Sequence, residues 1–307
     1  MKNTVFLILF NLLCLIGFSQ SNIRLNNYWE NTYYINPASI YSEYKYVFSG
    51  AVRQQWLLFQ GAPITGFFTA VGMFNTKKNT QIGHIGLTIF SDKIGYTSLL
   101  NISPSYSYSV RLNKSLLMNM GIAYKVQSFS YDMTKSTLGT ADDPAIYSNE
   151  TKWRNQNADM GVEFVGRSIL IGASSQNLFS LFNQDNSSQS NSNFLYVMKK
   201  YKLDNSFYLQ SGICAIQNKE LSQLELNVST FFNTNNHPDL IQFGIIYRTR
   251  NEIGVLFGMD LGNSVRLAYD YDYNFSGIRY SSIGSHEIML TWKFGKLPDC
   301  KCRELYK

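Results

Sequence analysis

The chain has 307 residues, 45% hydrophobic and 15% aromatic, yet only 16% are charged. Soluble domains average about 25% charged, so this composition argues against two ordinary soluble domains. The formal charge is +6, or +5 once a leader containing Lys2 is removed. No dense Lys/Arg run accompanies it, so the mild basicity points to a periplasmic or lipid-headgroup face and not to nucleic acid. Mean hydropathy is -0.16, because polar and apolar residues take turns instead of clustering. Beyond the N-terminus no run approaches the roughly 20 apolar residues of a membrane helix.

The N-terminus reads as an export signal spanning residues 1–19. Lys2 is its basic end, Val5–Ile16 its apolar core and Gly17-Phe18-Ser19 a small-x-small cleavage site. Cys14 is preceded by Leu13 where a lipoprotein needs a small residue, so lipidation is disfavoured. Residues 20–43 then form a pre-barrel segment without strand alternation. Asn36-Pro37-Ala38 is a turn, with Ile35 extended before the proline. Trp29, Tyr33 and Tyr34 could anchor this segment at a barrel rim or contact a partner.

From residue 44 to 295 the pattern is in-out alternation broken by turns. Thirteen strand-like stretches are predicted, at about 44–56, 62–74, 82–91, 97–110, 115–131, 157–165, 169–177, 206–216, 221–232, 239–248, 252–261, 264–274 and 285–294. In 100–110, Leu100, Ile102, Pro104, Tyr106, Tyr108 and Val110 alternate with Asn and Ser. Lys125 and Gln127 fix the register of the next stretch, because a lysine facing lipid at mid-depth costs about 2–4 kcal/mol. In 241–248, Ile241, Phe243, Ile245 and Tyr247 alternate with Gln242, Gly244, Ile246 and Arg248. A strand oily on one face and wet on the other suits a transmembrane antiparallel β-barrel. Bacterial barrels carry even strand numbers, so all-β with 14 strands is the expected fold.

The alternation turns Arg53, Gln55, Lys125, Gln127, Arg248, Arg266, Asp270, Asp272 and Glu287 inward. Charges of both signs could pair across the lumen and close it, or line a selective channel; no plug domain is visible to decide between them. Two polar interruptions, Asp132–Asn157 and Asn183–Asn193, read as loops on the cell exterior, either simple mobile surface loops or partner-binding or pore-capping ones. The closing strand opens with His286 and Glu287 and ends with Trp292 and Phe294, rings suited to an interfacial girdle. Residues 296–307 are a tail in which Cys300 and Cys302 lack the His or second Cys pair of a metal site.

Catalytic chemistry is not evident. The histidines are His84, His237 and His286; His237 lies in a turn, and His286 and Glu287 point to opposite strand faces. No nucleophile elbow, zinc-protease, P-loop or dinucleotide motif occurs. No cofactor is expected, and the enzyme hypothesis is set aside in favour of a binding or channel role.

The order of short motifs resembles the PorP/SprF family of the type IX secretion system. The run Ile35-Asn36-Pro37-Ala38 precedes a strand with Arg53-Gln54-Gln55-Trp56 and the turn Gly61-Ala62-Pro63. Tyr106-Ser107-Tyr108, Tyr124-Lys125-Val126-Gln127, Asp159-Met160-Gly161, Gly172-Ala173-Ser174 and Lys199-Lys200-Tyr201 follow in register. Arg266-Leu267-Ala268-Tyr269-Asp270-Tyr271-Asp272 and Gly284-Ser285-His286-Glu287-Ile288 complete the series. The resemblance implies an outer-membrane barrel of the type IX export and gliding machinery. Its implied partners are the periplasmic lipoprotein ring, the C-terminal domain of a secreted adhesin, and outer-membrane lipid. Asn36, Pro37, Arg53, Trp56, Arg266, Asp270, His286 and Glu287 are the candidate structural or partner-contacting residues. A diffusion channel or small-solute transporter is the alternative.

Overall fold

The computed structural model describes residues 25–39, 44–75, 81–113, 115–131, 151–182, 189–204, 206–219, 222–233, 240–249, 251–262 and 264–296. The expected export signal, most of both polar interruptions and the tail cysteines lie outside these residues.

Fourteen antiparallel strands close on themselves. They are β1 (Tyr44–Gln54), β2 (Ile64–Asn75), β3 (Gln81–Ile94), β4 (Thr97–Asn113), β5 (Leu116–Tyr131), β6 (Thr151–Val165) and β7 (Ile169–Gln176), followed by β8 (Ser192–Lys202), β9 (Phe207–Asn218), β10 (Ser222–Phe232), β11 (Ile241–Arg248), β12 (Glu252–Leu261), β13 (Val265–Asn274) and β14 (Ser285–Lys296). Each strand pairs with its sequence neighbours, and β1 pairs with β14 to seal the wall. Closure leaves no unpaired sheet edge to face lipid. The seam register, with Ser49 opposite Thr291 and Arg53 opposite Glu287, puts polar residues of both strands in the lumen.

The alternation is realised side chain by side chain. On β11, Ile245 is 61% exposed on the wall's outer face, whereas Ile246 is fully buried inside. Outward positions are apolar because acyl chains surround them, while inward positions carry polar groups or, like Ile246 and Leu256, apolar ones that cluster with Tyr28 and Trp29. Aromatic residues gather at the seam's outer face, where Phe48 stacks on Phe294 at 5.5 Å and Trp292 lies 5.2 Å from Phe294.

Two features differ from the sequence reading. The strand missing from the predicted thirteen is β8, which begins inside the stretch taken as an Asn/Ser loop. Ser192 and Asn193 pair with Asn218 and Gln217 of β9, so their polarity marks a strand end above the membrane. Likewise β6 starts at Thr151, six residues ahead of its expected start, and pairs with β5 well beyond the end of β7. Strand ends that project past the bilayer need no lipid-facing apolar residues, and alternation fades there.

The four longest connections, 55–63, 132–150, 177–191 and 275–284, all sit at the end where β1 runs into β2 and β5 into β6, whereas at the other end every link but 233–240 has five residues or fewer. Long loops face the cell exterior and short turns the periplasm. Both barrel termini, at Tyr44 and Lys296, are therefore periplasmic.

Candidate functional site

The lumen is occupied by the chain's own residues 25–39. This overturns the expected rim placement of the pre-barrel segment; Ile35, expected to be extended, instead closes a 3-10 turn with helical dihedrals, because the residue directly before Pro37 is Asn36 and the proline does not restrict Ile35. Two single-turn 3-10 helices, Asn27–Trp29 and Thr32–Tyr34, fold the segment compactly enough to sit within the wall. Leu25, Tyr28, Trp29, Tyr33 and Ile35 are all buried. Tyr34 sits edge-on to Phe67 at 4.9 Å and packs against Phe90 at 5.8 Å. The sequence showed no plug because the plug is only fifteen residues long and its aromatic residues mimic a girdle.

One side-chain amide latches the segment near the exterior end. The Asn26 carbonyl oxygen accepts from Arg248 Nη2 at 2.9 Å and from Arg53 Nη1. Its Nδ2 donates to Asp270 Oδ1 at 2.7 Å and to Asp272. The backbone N–H groups of Asn26 and Asn27 donate to the two oxygens of Glu287 at 2.6 and 2.9 Å. Around them Arg248 pairs with Asp272 at 2.7 Å and Glu225 at 3.4 Å, and Arg53 with Asp272 at 3.1 Å. The wall charges thus pair with one another and with the segment. Buried pairs persist only when each member is hydrogen-bonded, because desolvating an ion costs several kcal/mol.

Three further contacts carry the segment through the lumen. The Tyr28 hydroxyl donates to Glu225 at 2.8 Å; burial, with Glu225 beside it, pushes this phenol well above its usual range and keeps the donor protonated. Glu30 pairs with Arg266 at 2.9 Å, and Arg266 also reaches Asp260 at 2.7 Å and Gln242. At the turn, Asn36 Nδ2 donates to Val162 O at 3.2 Å and to Tyr196 Oη at 3.0 Å, while Tyr196 donates to Glu163 at 2.6 Å. Asn36 Oδ1 caps the Ala38 N–H at 2.9 Å.

The wall is recessed to receive this segment. A Cβ on Gly121 of β5 would overlap the Pro37 carbonyl and the Ala38 nitrogen. These are backbone atoms with nowhere to go, so glycine is required there by close approach. A Cβ on Gly212 of β9 would overlap the Trp29 ring. Between segment and wall remains a cavity of about 70 Å³, bordered by Tyr33, Tyr34, Asn101, Ser103 and Lys125. A buried water needs roughly 10–15 Å³ by this kind of measure, so the space suits a few waters. Beside it Lys125 pairs with Asp159 at 2.9 Å.

The candidate residues thus separate into groups. Arg53, Asp270 and Glu287 meet at the Asn26 latch; Arg266 holds Glu30; Asn36 and Pro37 belong to the segment itself. Trp56 lies apart, in the loop after β1 with φ 46°, where its N–H donates to Ser285 Oγ at 3.2 Å. His286 also lies apart, facing outward as expected from its parity. Its Nδ1 is 2.7 Å from Tyr269 Oη. Glu225, Asp272 and Asn26 complete the latch. Asp272 was legible as an inward residue; Glu225 and Asn26 were not, because nothing in a single strand or an irregular segment tells which distant chain will meet it. Among the described residues, no cluster of His, Cys, Asp and Glu could hold a metal ion.

A closed 14-stranded barrel with an apolar belt and an inward-folded terminal segment defines an integral protein of the bacterial outer membrane. The fold is similar to that of the monoaromatic hydrocarbon channel CymD, with 9% identity, TM-score 0.51, and 90% of this chain and 94% of that one covered. It is also similar to the Pseudomonas putida toluene transporter TodX, at 7% identity and TM-score 0.51 over 85% and 93% of the two chains. At such identity the likeness concerns architecture alone. No curated protein matches the sequence. The family model for the type IX secretion system membrane protein PorP/SprF matches residues 17–292, and the chain belongs to that family. It is a type IX secretion membrane protein of the outer membrane.

Proposed function

We propose that this barrel is a non-enzymatic part of the type IX secretion and gliding machinery that supports export or surface attachment of a partner adhesin through protein contacts. The observation that carries this reading is the filled lumen. Residues 25–39 occupy the space a solute would cross, and their latch joins four strands, β1, β11, β13 and β14, to Asn26. A barrel closed in this way contributes its rims and outer surface. The partners are a periplasmic ring lipoprotein and the adhesin's C-terminal domain, with Trp56, His286 and the exterior loops as adhesin contacts.

Deleting the gene is expected to abolish surface display of one adhesin while leaving outer-membrane integrity intact. Normal display and motility in the deletion strain would end this reading. The channel alternative draws on the CymD-like architecture; it requires the lumen segment to leave, and bilayer recordings separate the two.

A further inference from the structure

The outer face of the wall carries a groove of about 530 Å³ at its exterior end, bordered by β8, β9, β10 and Thr249 after β11. Strand register creates it. Ala215 of β9 pairs with Leu195 of β8 on one side and with Leu224 of β10 on the other. All three are exposed on the outer face, and their strand neighbours Tyr196, Cys214 and Gln223 are buried inside. A methyl group between two isobutyl groups leaves a trough along β9, about 10 Å from β8 to β10 at two strand spacings. One row toward the periplasm, Ile213 pairs with Val197 and Leu226 and raises the floor again. Thr249 extends the β10 side: its N–H donates to Leu224 O at 3.1 Å, and its hydroxyl accepts the Leu224 N–H at 3.2 Å. At other exterior strand ends the outward positions carry large side chains such as Ile64, Ile94, Tyr247 and Tyr273.

One row toward the exterior, the same face turns polar. Asn193, Gln217 and Ser222 stand in register across β8, β9 and β10, directly beyond Leu195, Ala215 and Leu224. Asn193 Nδ2 donates to Asn191 Oδ1 at 2.9 Å, which leaves its own carbonyl oxygen open. The exposed side chains of Gln217 and Ser222 have no hydrogen-bond partner among the described residues. The groove therefore spans the level at which outward residues change from acyl-facing to water-facing.

Two neighbours meet the wall at this depth: lipid of the exterior leaflet and the flank of another membrane protein. The trough is continuous with the apolar belt and only three strands wide. A flat barrel flank would bridge Leu195 and Leu224 without reaching Ala215, whereas a single acyl chain can lie between them. Acyl chains everywhere around the barrel are as apolar as leucine, so apolarity alone gives the groove no preference. Selectivity must come from close packing in the trough and from hydrogen bonds at its rim. The rim offers a row of neutral amide and hydroxyl groups, which match sugar hydroxyls and amide-linked acyl chains better than a charged phospholipid headgroup. We infer that this groove is a binding site for the acylated glycolipid of the exterior leaflet. The first part of one acyl chain lies over Ala215, and the sugar meets Asn193, Gln217 and Ser222.

The test places a photo-crosslinking residue at Val197, just below the groove, in the full-length protein in its own cells. Val52, outward near the exterior end of β1, is the control on the opposite side of the barrel. The expected result is a glycolipid adduct at 197 that exceeds the one at 52 about tenfold. Ala215→Trp fills the trough and is expected to bring the yield at 197 down to that at 52. Heat-modifiable gel mobility confirms that the A215W barrel still assembles. A second variant, Gln217→Leu, keeps the trough and removes the central rim amide. In vesicles containing equal amounts of purified lipid A and phosphatidylethanolamine, the wild-type barrel is expected to retain lipid A on extraction, as read by native mass spectrometry. Q217L is expected to lose that preference about tenfold. Equal adducts at 197 and 52, an adduct at 197 with phospholipid or with another protein, or a yield unchanged by A215W would overturn the proposal. So would a lipid A preference that survives in Q217L. The site is independent of the secretion reading, which none of these outcomes alters.

Discussion

Glu287 holds Asn26 by its backbone: the carboxylate accepts the Asn26 N–H at 2.6 Å and its second oxygen accepts the Asn27 N–H at 2.9 Å. The two residues are 261 positions apart, so the first described stretch of the chain is fastened to the last strand in sequence. A terminal segment with no strand character becomes part of the barrel interior through a carboxylate that the wall supplies fully buried.

Replacing Glu287 with Ala leaves two buried N–H groups unsatisfied and removes one partner of Arg53. Loss of one member of a buried charged network costs about 3–5 kcal/mol. The lumen segment is expected to detach locally, red-shifting the fluorescence of Trp29 while the barrel stays intact. An unshifted spectrum in E287A, with Trp56, Trp153 and Trp292 replaced by Phe, would contradict the latch.

Gly121→Val should act from the opposite wall. Its added carbons overlap the Pro37–Ala38 backbone, and neither the turn nor the strand can move aside cheaply. An Ile35→Cys reporter, buried in the wild type, is expected to react with a periplasm-permeable maleimide at least tenfold faster in the G121V background. Equal labelling in both backgrounds would show that the turn is not seated on β5.

In planar bilayers the purified wild-type barrel is expected to be silent, and a variant lacking residues 25–39 to give discrete conductance steps. Removing the segment uncovers a polar lumen of 14 strands, which water can fill. Steady wild-type conductance of comparable size would favour the channel alternative.

Two residues on opposite faces of β11 provide a test of sidedness. Ile245→Arg puts a cation among acyl chains near mid-strand, at a cost of about 2–4 kcal/mol, measurable as a lower urea midpoint for folding into vesicles. Gln242→Glu, on the lumen side beside Arg266, should shift that midpoint by far less. Comparable losses from both would refute the assigned faces.

Much of the wall was legible because alternation is local: apart from the inward Ile246, the residues of Ile241–Arg248 face the side their chemistry demands. The strand β8 escaped because its polar start at Ser192 and Asn193 extends past the bilayer, where lipid no longer selects apolar outward residues. Arg53, Asp270, Asp272, Arg248 and Glu287 were legible as inward charges. Their assembly around one asparagine was not, since Asn26 carries no charge and sits in no periodic element.

Residue chemistry along the chain by itself determined the exported barrel, its handed alternation of lipid and water faces, and its family, because those depend on periods of two and on ordered short motifs. Only the tertiary structure decided that residues 25–39 fill the lumen and that the inward charges meet around Asn26. Both depend on closure of β1 against β14, which brings residues hundreds of positions apart to one interior where buried charges must find partners.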